Sequence, residues 1–192
     1  MLESLPEFTS KPEALLAACA FGYLAGSIPF GILIAKILGL GDLRKVGSGN
    51  IGATNVLRTG NKLAAFLTLL FDFSKGICAV LITRHFFGED AVQVSAFSAL
   101  VGHCFPIWLR FSGGKGVATF LGVTIALSFI IGIICCFVWL FVAVVRKMSS
   151  LASLTSAASA PIAAIFLNQP NTIILLVLLL SIVFLRHKQN ID

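Results

Sequence analysis

Long apolar stretches separated by short polar segments follow one another along almost the whole chain of 192 residues. A helix needs about 20 apolar residues to cross a bilayer, and most of these stretches reach or approach that length. The pattern therefore predicts a bundle of transmembrane α-helices. The apolar stretches cover residues 14–40, 63–83, 91–109, 117–145, 151–167 and 172–185.

The fourth stretch, residues 117–145, is too long for one ordinary span, and a single crossing would put Arg146 and Lys147 on the face opposite the first two polar loops. We predict that the chain reverses near residues 128–132, giving two short helices of roughly 20 Å each at 1.5 Å per residue. The first stretch contains Pro29 and several glycines, which bend helices, and it is predicted to cross once. Seven transmembrane helices result.

The composition agrees with an all-α integral membrane protein. Hydrophobic residues make up 58% of the chain and charged residues 11%, and the mean hydropathy is +1.00, which leaves too little polar surface for a soluble globule. Residues 1–192 are predicted to form a single transmembrane domain. Residues 1–7 lack the basic start of a signal peptide, so we expect no cleaved leader.

Basic residues outside the predicted helices are distributed unevenly between the two faces of the bundle. Because cytoplasmic loops carry the excess of Lys and Arg, the N-terminus is predicted outside and the C-terminus in the cytoplasm. The net charge of +6 thus reflects topology, and without basic runs and base-stacking aromatics no nucleic-acid partner is expected. One face holds only Lys11 and Arg84, and the other holds Arg44, Lys45, Arg58, Lys62, Arg110, Lys115, Arg146, Lys147, Arg186 and Lys188.

Residues 47–55 form a small, polar loop between two apolar stretches. Its glycines allow tight turns in which backbone N–H groups converge on an anion, and its Ser, Thr and Asn side chains add donors and acceptors. The flanking Arg44, Lys45 and Arg58 favour a negative ligand, and phosphate is expected. The candidate phosphate-binding residues are Gly47, Gly49, Asn50, Gly52, Thr54 and Asn55.

A second polar loop places Gly113, Gly114, Lys115 and Gly116 directly before an apolar helix. Free N–H groups and the dipole at a helix N-terminus favour an anion, so the three glycines are further candidates for phosphate binding. A flexible turn with a surface lysine is the alternative. Gly116 stands where a Walker A loop needs Ser or Thr, and the G-x-G-x-x-G pattern of residues 47–52 lacks a βαβ context, so no nucleotide cofactor is expected.

Polar residues also lie inside the predicted spans. Asp72 and Lys75 share a helix face and can pair, either in a functional site or as a structural ion pair. His103 is expected to be a packing or hydrogen-bonding residue. The five cysteines lie in or beside apolar runs without metal-binding spacing, so no metal site is expected.

The polar segment after the last span carries His187 and Asn190 on one helix face. An imidazole with an ordinary pKa of about 6.5 can accept a proton or orient a phosphate near neutrality. Arg186 and Lys188 are expected to be ordinary interface anchors.

These polar segments closely resemble three motifs of the bacterial acyl-phosphate:glycerol-3-phosphate acyltransferases, small membrane enzymes of phospholipid synthesis. Residues 47–55 with Arg58 resemble the first motif, residues 113–119 the second, and residues 186–191 the third. The motifs occur in the family's order, and the resemblance covers nearly the whole chain.

The resemblance implies a seven-helix fold in the bacterial inner membrane with the active site on the cytoplasmic face. It implies transfer of a fatty acyl group from acyl phosphate to the 1-position of glycerol 3-phosphate, without a cofactor. Residue by residue, it points to a catalytic set of Ser48, Arg58, Lys115, His187 and Asn190.

The chain departs from the family pattern at Ser112, where a lysine is common, and at Gln189, where an acidic residue is common. It also ends at Asp192, before the charged tail of many members. We still expect activity. A small transporter for an anionic or phosphorylated solute is the alternative, since polar loops and an intramembrane ion pair suit that function too. The oligomeric state is left open, a monomer included.

Overall fold

The fold was examined in a computed structural model, which describes residues 9–191. This part of the chain contains ten α-helices, three short 3-10 turns and no strand, as the apolar pattern predicts. The helices are α1 Pro12–Ser27, α2 Phe30–Ile37, α3 Ala53–Val56, α4 Lys62–Phe86, α5 Glu89–Cys104, α6 Val117–Leu127, α7 Phe129–Arg146, α8 Ser149–Phe166, α9 Pro170–Arg186 and α10 Lys188–Ile191.

The first apolar stretch is divided into two helices. α1 ends at Ser27, and Pro29 precedes the first residue of α2. Proline has no N–H to donate and disfavours a helical conformation in the residue before it, which explains the break at Ile28. The predicted bend in the first span is a complete break between two helices. α1 and α2 together still form one apolar segment of 26 residues.

The fourth stretch reverses where the sequence predicts. α6 ends at Leu127 and α7 begins at Phe129, and the two helices pack so closely that a Cβ on Gly132 would collide with the backbone of Ile125. The expectation of two equally short helices is wrong. α6 has 11 residues and α7 has 18, which is about 16 Å against 27 Å at 1.5 Å per residue.

The membrane-facing surface and the core are both apolar, as expected for a protein in lipid. Five segments are long and apolar enough to cross a membrane, and α6 and α9 are shorter apolar helices. Large apolar side chains point outward, with Phe166 82% exposed and Leu16 70% exposed, while a continuous core joins α4 to α9. The chain is therefore an all-α membrane protein.

Small residues bring α1 and α5 into backbone contact. Gly22 packs against the backbone of Ser95, and Gly26 packs against the backbone of Ala99 one turn further along. Without a solvent-driven hydrophobic force in lipid, such close van der Waals packing is a main source of helix association. The contact fixes the end of α5, from which the second polar loop departs.

We expect Gly26→Val to destabilise the fold by about 1 to 3 kcal/mol, because the new side chain has to displace the backbone of Ala99. The measurement is the thermal unfolding midpoint of the purified protein in detergent. Ala20→Val is the control, since Ala20 lies on the exposed side of the same helix. Equal midpoints for the two variants would contradict the close packing of α1 against α5.

Candidate functional site

The glycine loop of residues 47–55 is organised around the side chain of Asn55. Its Oδ1 accepts hydrogen bonds from the backbone N–H of Ser48 at 3.0 Å and from the Ser48 hydroxyl at 3.3 Å. Its Nδ2 donates to the carbonyl oxygens of Leu43 at 3.0 Å and Asn50 at 2.7 Å. Asn55 is 2% exposed, so its buried side chain fixes the conformation of the loop, whereas Ser48 is exposed.

Arg58 lies directly over the start of this loop. Gly47 has a φ of +52°, and a Cβ there would lie 2.5 Å from Cδ and 2.6 Å from Nη1 of Arg58. Glycine is therefore required by both the backbone conformation and the space. The consequence is that the guanidinium of Arg58 stands beside the backbone of Gly47 and Ser48.

The other predicted residues of the loop lie around the same turn. Asn50 accepts a hydrogen bond on Oδ1 from the N–H of Gly52 at 3.3 Å, and Gly52 precedes α3. Gly49 has a φ of +68° and lies against the carbonyl of Arg44. Thr54 is exposed on α3. The structure thus brings the predicted loop residues together, and their contact with phosphate stays a prediction.

The second loop is held against the end of α5. The N–H groups of Gly113 and Gly114 donate to the carbonyl oxygens of Cys104 and His103, both at 3.1 Å. Two of the amides that we expected to face an anion are therefore already bonded within the protein. Gly116, with a φ of +78°, precedes α6, so the N–H groups available to a ligand belong to the first turn of that helix.

Arg186 is a residue of the site that sequence reasoning missed. Its Nη2 donates to the carbonyl of Gly113 at 2.8 Å and its Nε to the carbonyl of Gly114 at 3.0 Å. The guanidinium also lies over the ring of Phe105, with 5.2 Å between Cζ and the ring centroid. The prediction that Arg186 is an ordinary interface anchor is wrong, and the signal available in the sequence was its place in the third motif.

Lys115 connects the second loop to the third motif. Its ammonium group donates a hydrogen bond to Oδ1 of Asn190 on α10. Burial lowers the pKa of Lys115 below its ordinary value, and the nearby positive charges of Arg186 and Arg58 lower the pKa further. Like charges have this effect on a nearby lysine, and Arg186 is bonded to the carbonyls of Gly113 and Gly114 directly before Lys115.

His187 ends α9 beside this cluster and is 2% exposed. Its Nδ1 lies 2.8 Å from the carbonyl oxygen of Val183. Because a carbonyl only accepts, Nδ1 carries the proton and Nε2 is the acceptor of the neutral ring. Burial lowers the pKa of His187, and the charges of Lys115 and Arg186 lower it further against the opposing effect of the Val183 bond. The net lowering of the pKa favours the neutral form of the imidazole.

The first and second loops also contact each other directly. Arg44 donates through Nη2 to the carbonyl of Ser112 at 3.4 Å, which places Ser112 at the junction of the two loops. Gln189 is exposed at the start of α10. All three predicted motifs thus contact one another at one end of the bundle.

The intramembrane polar residues lie below this site. Asp72 and Lys75 form an ion pair with 2.7 Å between Oδ1 and Nζ, which confirms that the two residues pair. His103 is buried and lies 3.2 Å from the hydroxyl of Thr119, as expected for a hydrogen-bonding residue. Among residues 9–191, no group of three or more His, Cys, Asp or Glu side chains is arranged to hold a metal ion.

Comparison with known proteins gives a consistent result. The model of the family described as glycerol-3-phosphate acyltransferase matches residues 16–192. A glycerol-3-phosphate acyltransferase of Jannaschia sp. (strain CCS1) is 57% identical over 98% of this chain and 93% of its own length. The corresponding protein of Roseobacter denitrificans is 55% identical over 93% of this chain and 92% of its own length.

Two solved structures share the fold. The glycerol 3-phosphate form of PlsY (YgiH), an integral membrane glycerol 3-phosphate acyltransferase, superimposes with a TM-score of 0.87 at 39% identity, covering 92% of this chain and 90% of that one. The lysophosphatidic acid form gives a TM-score of 0.83 at 36% identity, covering 92% and 89%. From the family match and these identities, the chain belongs to the glycerol-3-phosphate acyltransferase family.

Proposed function

We propose that the protein transfers a fatty acyl group from acyl phosphate to the 1-position of sn-glycerol 3-phosphate, giving lysophosphatidic acid and inorganic phosphate for phospholipid synthesis. The observation that carries the proposal is that three distant segments contact one another at one end of the bundle, through the hydrogen bonds of Arg44 with Ser112 and of Lys115 with Asn190. Family membership favours acyl transfer over the alternative of solute transport.

Both proposed substrates carry a phosphate group, and the site offers matching charge. Arg58 supplies guanidinium donors and Lys115 supplies an ammonium group. The first turn of α6 adds backbone N–H groups and the positive end of a helix dipole. We infer that Ser48, bonded to Asn55, and Asn190, bonded to Lys115, orient the attacking hydroxyl or the carbonyl of the donor.

The reaction needs little activation, because acyl phosphate is a mixed anhydride. The oxygen of the C1 hydroxyl attacks the carbonyl carbon, a new ester bond forms, and the bond from that carbon to the phosphate oxygen breaks. The cations stabilise the negative charge on the departing phosphate, and holding the two substrates together supplies much of the rate. The hydroxyl proton passes either to a substrate phosphate or to Nε2 of His187.

The proposal includes a membrane topology for the protein. We infer seven crossings by one domain of residues 1–192, with α1 and α2 together forming the first and α6 the short fourth. The uneven distribution of Lys and Arg puts the N-terminus outside and the C-terminus in the cytoplasm. In a bacterium the site would face the cytoplasm at the inner membrane, so that the acyl chain lies among the helices while the phosphates stay in water.

We expect the purified protein to release phosphate from palmitoyl phosphate only when glycerol 3-phosphate is present. Lys115→Ala and His187→Ala should each lower turnover, and Lys115→Ala by roughly 10- to 100-fold, because a charged hydrogen bond contributes about 1.5 to 3 kcal/mol. Turnover is measured with both substrates saturating. Near-normal rates in both variants would contradict the assignment of the site, and intact binding without turnover would favour transport.

The activity should also fall at alkaline pH. Lys115 binds phosphate only when protonated, and its pKa is lowered, so kcat/KM should begin to fall at a lower pH than an ordinary lysine would give. Lys115→Arg should shift this alkaline limb to higher pH, since guanidinium stays charged. Lys62→Arg is the control, because Lys62 is exposed at the start of α4. An identical pH profile for wild type and Lys115→Arg would be evidence against the role of Lys115.

A further inference from the structure

A buried polar network underlies the site and joins four helices. The ammonium of Lys75 contacts Asp72 and also donates to the carbonyl of Ile28 at 3.0 Å, at the break between α1 and α2. The carboxylate of Asp72 lies 3.7 Å from Nδ1 of His103 on α5. Asp72, Lys75 and His103 are each at most 5% exposed, so the network lies inside the bundle.

Thr119 attaches the first turn of α6 to this network. Its hydroxyl donates to the backbone carbonyl of Asp72 at 2.9 Å and lies 3.2 Å from Nδ1 of His103. When the hydroxyl donates to the carbonyl, its oxygen accepts from a protonated Nδ1 of His103. Thr119 is 0% exposed and therefore cannot touch a substrate at the surface.

The hydrogen bonds of Thr119 matter because Thr119 lies close to Lys115 in the chain. Lys115 lies one helical turn before Thr119, at the entry to α6. On the other side of Lys115, the N–H of Gly114 donates to the carbonyl of His103, and the His103 ring packs against Gly114. The segment that carries Lys115 is thus attached to the network at both ends, by His103 before it and by Thr119 after it.

The same network reaches the segment leading to the glycine loop. Lys75 holds the break between α1 and α2, and Gly31 in α2 packs against the carbonyl oxygen of Ile51 in that loop. The buried network therefore contacts both the α1–α2 segment, which packs against the glycine loop, and the segment that carries Lys115.

From these contacts we propose that Thr119 is a positioning residue for Lys115: its buried hydroxyl fixes the start of α6 to α4 and α5, and so sets where the Lys115 ammonium stands relative to Arg58. The inference rests on the proposed function, because it assigns Thr119 a role in acyl transfer at the same site. A lysine displaced by about 1 Å loses much of its contribution to a reaction that depends on alignment.

The test compares Thr119→Val, which keeps the volume and removes the hydroxyl, with Thr119→Ser, which keeps the hydroxyl. The matched control is Thr124→Val on the same helix, since Thr124 is 1% exposed and, within residues 9–191, its hydroxyl bonds only to the Leu121 carbonyl. Phosphate release from palmitoyl phosphate is followed with glycerol 3-phosphate, giving kcat and KM for both substrates, together with thermal unfolding midpoints.

We expect Thr119→Val to lower kcat/KM at least tenfold while its unfolding midpoint falls no further than that of Thr124→Val. Thr119→Ser should stay within about twofold of wild type, since it retains the hydroxyl. Activity of Thr119→Val within twofold of wild type, or equal losses in the Val and Ser variants, would overturn the inference. Absence of wild-type turnover would instead contradict the proposed function.

A second pair of variants covers the case in which Thr119→Val does not fold. His103→Asn retains a donor near the position of Nδ1, and His103→Leu removes it. We expect the Asn variant to retain at least fivefold more kcat/KM than the Leu variant at comparable unfolding midpoints. Equal activity in folded Asn and Leu variants would overturn the role of the hydrogen bond between His103 and Thr119.

Discussion

Positive side chains that meet at one end of the bundle are the feature on which the site depends. Arg186 is bonded to the carbonyls directly before Lys115, so two like charges lie close together, and burial adds to the cost of keeping Lys115 charged. The fold offsets this cost with bonds to neutral acceptors, since Arg186 binds two backbone carbonyls and Lys115 binds the amide oxygen of Asn190. A phosphate bound there, as we propose, would relieve the remaining repulsion.

The rest of the bundle serves to bring these cations together. Glycines let α1 and α5 approach at backbone distance, and Lys75 donates to the Ile28 carbonyl at the break between α1 and α2. Asp72 balances the buried charge of Lys75, because an ion left unpaired among apolar helices would be costly. The intramembrane ion pair is therefore part of the framework beneath the site.

Much of this was predictable from the sequence. Apolar run lengths indicated the helices and the reversal near residues 128–132, which the structure has between α6 and α7. The anion site that loop composition predicts near Arg58 and Lys115 stays a prediction. Run lengths do not reveal that α6 would be shorter than α7, because a helix end depends on packing as well as hydropathy. Nor could spacing show that Arg186 turns inward, or that the amides of Gly113 and Gly114 are bonded to α5, since both follow from tertiary contacts.

The common anion site can be tested without any reaction by measuring equilibrium binding of glycerol 3-phosphate to the purified protein by titration calorimetry. Wild type and Lys62→Ala should bind equally, while Arg58→Ala and Lys115→Ala should each bind at least tenfold more weakly, because each removes a charged donor to the phosphate. Unchanged affinity in both of the last two variants would show that these cations do not form the site.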